Sequence, residues 1–463
     1  MTQDVGWVRE RSKQSHHREH PNQGKEPMNK ETKLIQRFFK LSHYNTNIKT
    51  EVTAGITTFL TMAYIIFVNP QILSQAGMPY NSVFIATCIT AMVGCLLVGF
   101  IANFPVGIAP SMGLNVYFTY VIVLKMGYTW ESALGAVFLA GVIFYLLTVF
   151  KVRQWILDAI PPSLSIATAA GIGLFIGLIA LKNAGVVVGN HDTLVELGNV
   201  ASAPVLLCFL GFFLIAALDH FKIPGSIIIS ILVVSIIALV LGKTHYHGII
   251  SAPPSIDPTA FKFNIESLFH RGGLMIIFTF VLVALFDSSG TLLGLAHEAK
   301  VPTNNPDAKK RISRTLMADS LATITGSLLG TSTTATYVES ATGIRAGGRT
   351  GLTSIVIACG FGLAIFFAPL TKMIPIYASA PALLFIAAMM LRHMNDIEWD
   401  DLTEAIPSAI TMIMIPFTFS IANGIGLGFI SYVGIKLLTG KIKEIRIPLI
   451  LISALFLLFF LLQ

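Results

Sequence analysis

The 463-residue chain is 54% hydrophobic and 12% charged, against about 25% charged in an ordinary soluble domain, which excludes a water-soluble globule and points to a polytopic membrane protein. Its net charge of +7 resides in tails and loops without interleaved aromatics, so membrane orientation accounts for it and no nucleic-acid partner is expected. Cys88, Cys95, Cys208 and Cys359 all fall in apolar segments and read as buried thiols, with no disulfide framework, metal set or cofactor.

Residues 1–50 form a polar tail without the apolar core of a signal peptide, so the first span is the expected insertion signal. His16, His17 and His20 in that tail read as flexible basic sequence, with metal binding as the alternative. From Glu31 to Tyr44 the spacing of Leu34, Ile35, Phe38, Phe39 and Leu41 predicts a short helix on the cytoplasmic membrane surface. Seven apolar runs follow at about 52–72, 82–102, 107–125, 131–150, 165–182, 202–218 and 224–242. Most approach the roughly 20 residues that a helix needs to cross the hydrocarbon core. They are continuous instead of alternating, which favours helices over a barrel. A long polar connection, 243–273, separates them from seven more runs at about 274–296, 316–330, 333–344, 351–371, 378–392, 406–421 and 424–438. The expected organisation is therefore a first repeat at 51–242, an outer connection at 243–273, a second repeat at 274–440 and a C-terminal apolar segment at 441–463. Ile447 to Leu462 is apolar enough to span, re-enter or lie flat.

With the tail inside, the inner connections carry Lys151, Arg153, Lys222, Lys300, Lys309, Lys310, Arg311, Arg314, Arg345 and Arg349, while the connection from Asn183 to Ser202 has no Lys or Arg. Seven spans per half invert the second half relative to the first, an arrangement common among secondary transporters. The third segment is interrupted by Pro110 and Gly113, and the tenth is short and rich in Thr. Paired interruptions free backbone groups at mid-membrane, so a binding site is expected between segments three and ten.

An isolated carboxylate at the bilayer centre costs about 2.5–3.5 kcal/mol on insertion scales. Asp287 and Glu339 lie well inside apolar runs next to the broken segments, and no Lys or Arg within the spans is expected to neutralise them. Ser288, Ser289, Gly290 and Thr291 flank Asp287, and Thr331 to Thr336 lead to Glu339; these residues are a candidate hydroxylated wall, with helix packing as the alternative. Asn115, just beyond the first break, offers both donors and acceptors to a solute or to a neighbouring helix. Two carboxylates and an amide repel an inorganic anion and suit a flat neutral solute with several N–H donors. Phe59, Tyr117, Phe118 and Tyr337 are candidate ring covers. Asp319 is expected near the inner end of segment nine as a helix-end or gating contact. Asp396, Glu398, Asp400, Asp401 and Glu404 are expected to form a solvated inner loop. His297-Glu298 lacks the second histidine of a zinc-protease helix, and neither a phosphate loop nor a nucleophile elbow is present, so no enzymatic reaction is expected.

Five stretches carry a resemblance: Thr57 to Pro70, Gly113 to Tyr120, Phe286-Asp-Ser-Ser-Gly-Thr-Leu292, Thr336-Tyr-Val-Glu-Ser340 and Ile397 to Pro407. In this order they resemble the azaguanine-type branch of the nucleobase-cation symporters, the adenine, guanine and hypoxanthine permeases. The resemblance implies an all-α, UraA-like fold of seven plus seven inverted helices, with short strands in segments three and ten. It implies a core domain of segments one to four and eight to eleven, and a gate domain of five to seven and twelve to fourteen. It also implies a purine held by Asn115, Asp287 and Glu339, with uptake driven by protons; from the residues themselves, Ser288 and Thr336 are candidate further contacts and the two buried acids candidate proton carriers. Many relatives have a second acid one turn before the Asp, where this chain has Ala284. The expected partners are a purine base, a proton and the lipid bilayer, with a homodimer allowed. The expected location is the cytoplasmic membrane, with the N-terminus inside. An anion transporter of the sulfate-permease type and a membrane-embedded enzyme are the rival readings.

Overall fold

The computed structural model describes residues 30–150, 152, 159–269, 272–299 and 306–462. The histidines of the tail, with Lys151, Arg153 and Lys300, lie outside the described residues.

Helix α1 (Lys30–Phe38) stands where a surface helix is expected and stops before Tyr44, because the chain turns at Lys40, whose φ of 54° is left-handed. Asn47 caps α2 (Ile48–Met62) by accepting from Thr50 N at 3.0 Å. After a break at Ala63 and Tyr64 the span continues as α3 (Ile65–Ser74). α4 (Tyr80–Leu97) ends in a π turn, Val98–Ala102. The third segment is a strand, β1 (Ile108–Pro110), followed by α5 (Met112–Val116) and a π-helical stretch, Tyr117–Lys125. Then come α6 (Trp130–Val149), α7 (Pro162–Ala184), α8 (Ala203–His220) and α9 (Ser226–Val240). Between α7 and α8 the connection folds into a hairpin, β2 (Val187–Asn190) with β3 (Leu194–Leu197), which hydropathy alone does not announce.

The second half comprises α10 (Gly273–Glu298), α11 (Pro306–Leu329), β4 (Thr334–Thr336), α12 (Ser340–Arg345), α13 (Gly351–Ala364), α14 (Ala368–Lys372), α15 (Ile376–Leu391), α16 (Leu402–Thr418) and α17 (Ile421–Leu438). Helix α11 begins at Pro306, well before the expected 316, because its first turns are charged and escape an apolar window. Among the described residues, nine helices are long and apolar enough to cross a membrane.

The final apolar run is a helix, α18 (Ile447–Leu462). It returns alongside α17, with Phe456 fully buried over Gly426 and its ring edge-on to Phe278 at 5.5 Å. A Cβ on Gly426 would lie 2.6 Å from the Phe456 ring, so glycine is what permits this approach.

The helices pack as two groups. α2, α4, α6, α10, α11 and α13 form one, the core; α7, α8, α9, α15, α16 and α17 form the other, the gate. The two broken segments meet through an antiparallel pair, β1 with β4, in the register Ile108↔Thr336, Ala109↔Ala335 and Pro110↔Thr334.

Candidate functional site

The strand pair has a local cause on each side. Pro110 lacks an N–H and disfavours a helical residue before it, so the chain enters extended and helix begins only at Met112. On the other side, Gly330 (φ 100°) ends α11 against Thr259, and the β-branched Thr331, Thr333 and Thr334 favour extended backbone. The freed main-chain groups find each other: Ser111 N donates to Thr333 O at 2.8 Å and Tyr337 N to Gly107 O at 3.0 Å. This satisfies backbone that lipid would leave unpaired.

Asp287 and Glu339 meet at this junction. Ser111 Oγ donates to Asp287 Oδ2 at 2.7 Å, and Tyr64 OH donates to Glu339 Oε1 at 2.7 Å. Tyr337 stands at the same junction, its hydroxyl donating to Pro110 O at 2.6 Å. The Tyr64 and Tyr337 rings lie 6.4 Å apart. Glu339 is buried and Asp287 half-buried. Each carboxylate has a hydroxyl on one oxygen and retains acceptor capacity for a ligand N–H.

The other candidates are placed differently. Asn115 is fully buried, donates to Asn69 Oδ1 at 2.5 Å and accepts from Ser332. Asn69 in turn donates to Thr87 at 2.6 Å and Thr331 at 2.8 Å, so this chain of amides and hydroxyls ties α3 and α4 to both breaks. Ser288 donates to Asp319 Oδ2 at 2.6 Å, and Thr334 to Asp319 Oδ1 at 2.8 Å. Asp319 is therefore a fully buried bracket in the middle of α11, not a group at the helix end, since the helix starts at Pro306. Thr336 shares a strand face with Thr334 by the two-residue period. Its buried hydroxyl has no hydrogen-bond partner among the described residues, nor has that of Thr333. Of the aromatics, Phe59 packs edge-on to Phe361 and Tyr117 on Phe280, and Phe118 is fully buried; Tyr337 adjoins the carboxylates.

Tyr64 and Ser111 were not singled out by the sequence. Position relative to Pro110 could have indicated Ser111; Tyr64 becomes visible only through the fold. Two expectations about charge are corrected. Lys436 in α17 is buried, bonding Glu404 Oε1 at 2.8 Å and Glu444 at 2.6 Å, so the spans do hold a buried cation, although it serves the gate and not the site acids. Glu404 is accordingly buried, joined also by Tyr432 at 3.0 Å and by Ser163, and is not part of a solvated loop.

On α10, Asp287, Gly290, Thr291, Gly294 and Glu298 share one face and all are at least partly exposed. A face with two carboxylates and small polar residues would be costly against lipid, which favours a polar surrounding for it. Glu298 pairs with Arg345 at 3.6 Å, and nearby Arg349 N is held by Glu51 in the first turn of α2 at 2.9 Å. The Glu298 end of this face thus lies towards the start of α2. At the opposite end core and gate are bonded: Gln71 Nε2 donates to Ile374 O at 3.0 Å and Ser379 Oγ to Gln71 Oε1 at 2.5 Å. A cavity of about 690 Å³ at that end, lined by Gln71, Tyr80 and Lys372, stands apart from the carboxylates.

A family model described as the Permease family (Xan_ur_permease) matches residues 49–427. The chain belongs to this permease family. It is 45% identical over 425 residues to adenine permease AdeP of Escherichia coli, covering 92% of this chain and 95% of that one. To guanine/hypoxanthine permease PbuO of Bacillus subtilis it is 38% identical over 426 residues, covering 90% and 98%. Among solved structures, the transmembrane domain of the cyanobacterial bicarbonate transporter BicA superposes with a TM-score of 0.59 at 15% identity, covering 83% of this permease and 97% of that domain. At such low identity the match bears on the fold, which is the UraA-like transporter fold. The permease is a multi-pass membrane protein.

Proposed function

We propose that this permease imports purine nucleobases by proton symport across the cytoplasmic membrane, with its N-terminus inside. The observation that carries the reading is the convergence of Asp287 and Glu339 on the β1–β4 junction, in a chain whose close relatives are named for adenine, guanine and hypoxanthine. A purine presents flat faces and in-plane N–H donors, and two carboxylates with Tyr64 and Tyr337 alongside suit that shape and polarity. Asp287 and Glu339 take the base, and one of them carries the proton. Asn115 and Ser288, whose polar groups are engaged by Asn69, Ser332 and Asp319, hold the frame, and the unpartnered Thr336 hydroxyl is a further candidate contact. The repeats at 51–242 and 274–440 would exchange access by moving the core against the gate, with the exposed face of α10 lining the inward route.

Uptake of radiolabelled adenine, guanine and hypoxanthine into proteoliposomes, with and without an inward proton gradient, tests this. Saturable uptake driven by the gradient and lost in both Asp287→Asn and Glu339→Gln is the expected result; normal uptake in both variants would overturn it. The anion-transporter reading is favoured by the BicA-like fold alone. It is opposed by the two acids, which would repel an anion, and competition by bicarbonate or sulfate would revive it.

A further inference from the structure

The face around α1 carries features that purine transport does not use. Phe39 and Leu41 are buried, and Asn103 Nδ2 donates to Phe39 O at 3.0 Å, which fixes this segment to the core at the end of α4. Leu34 and Phe38 nevertheless remain 70% and 56% exposed. The Phe38 ring stands edge-on to Phe100 at 6.1 Å, and Phe100, on the outer face of the α4 span, is itself 56% exposed. An exposed phenylalanine on a spanning helix faces acyl chains, so Phe38 lies at the boundary between chains and headgroups.

Beside it opens a cleft of about 320 Å³ lined by Gln36, Arg37, Lys40, Ser42 and His43. Among the described residues no carboxylate pairs with Arg37 or Lys40, and the nearby Asp307 is engaged by Tyr44 OH at 3.0 Å. Cations without a carboxylate partner among the described residues, next to exposed apolar side chains, are complementary to an anionic phospholipid. We infer that this cleft binds the headgroup of an anionic phospholipid, with Arg37 and Lys40 on the phosphate and Leu34, Phe38 and Phe100 against the chains. Because the segment is bonded to the core, the lipid is held by the core domain and not by the gate.

The experiment is native mass spectrometry of the full chain after exchange into phosphatidylglycerol or phosphatidylcholine. The wild type should retain phosphatidylglycerol in preference. With roughly fivefold in affinity for each basic residue at an anionic surface, Arg37→Gln/Lys40→Gln should lower that retention about 25-fold and leave phosphatidylcholine retention unchanged. Equal retention of the two lipids by the wild type, or full preference in the variant, would overturn the assignment. Displacement of the lipid by millimolar inorganic phosphate would overturn it too, by assigning the cleft to free phosphate. Both side chains are exposed and have no carboxylate partner among the described residues, so circular dichroism should show the variant folded.

Discussion

At the scale of single residues, the site depends on hydroxyls that orient carboxylates. Tyr64 contributes one hydrogen bond to Glu339, and a bond to a charged group is worth about 1.5–3 kcal/mol. Tyr64→Phe should therefore lower kcat/KM for purine uptake on the order of 10- to 100-fold, with Ser111→Ala acting in the same direction through Asp287. Unchanged kinetics in proteoliposomes would reduce Tyr64 to packing. Away from the membrane, Asp401 caps α16 by accepting from Thr403 N at 2.9 Å and pairs with Lys441 at 2.7 Å. The Lys441 hydrogen bond, followed by those from Thr403, holds its carboxyl well below the usual carboxylate range. A depressed folded-state value means that its stabilisation is complete above the unfolded value of about 3.9 and is lost as pH falls below it. Melting temperatures in detergent should thus show an acid-side decline that is smaller in Asp401→Asn, and identical profiles would contradict the assignment.

At the scale of elements, helix ends are held by side chains from distant segments. Glu51, fully buried in α2, accepts from Arg349 N at 2.9 Å, Thr350 N at 3.3 Å and Thr353 N at 3.2 Å, and so caps α13 from another helix. A buried donor left unpaired costs about 1–3 kcal/mol. Glu51→Ala should lower the detergent melting temperature by several degrees, and Glu51→Gln, which keeps an acceptor, should lower it less. If Glu51→Ala melts like the wild type, water or another acceptor must serve the start of α13. This contact marks the limit of what periodicity conveys. Apolar windows locate the spans, and Pro110 locates the first break, because both are local properties of the chain. Whether Glu404 and Asp319 are solvated or buried depends on partners such as Lys436, Ser163 and Thr334, distant in sequence from at least one of them. The same holds within the site. Asp287 and Glu339 stand out because a carboxylate in an apolar run is anomalous anywhere, whereas Tyr64 and Ser111 resemble ordinary span residues until the fold brings them to those acids. Asn115 and Ser288 show the converse, since their types and positions suit a ligand contact while their hydrogen bonds join the broken segments to neighbouring helices.

At the scale of the whole molecule, α10 presents an exposed face towards the end where α2 begins, and core and gate are bonded at the opposite end through Gln71. Those two contacts, to Ile374 O and from Ser379, join core and gate at the end opposite Glu298. Hydrogen bonds of this kind contribute about 0.5–1.5 kcal/mol each, so losing both should shift the balance between the two access states about 5- to 150-fold towards opening at the Gln71 end. Gly290 offers a reporter, because a Cβ added there meets nothing within 4 Å and the position lies on the exposed face of α10. Cys88, Cys95 and Cys208 are buried and Cys359 is exposed, so Cys359→Ser gives a quiet background for Gly290→Cys. In that background an impermeant maleimide should label the reporter from the side on which α2 begins. Adding Gln71→Ala should slow that labelling. If labelling is unchanged, the Gln71 contacts do not govern access from that end.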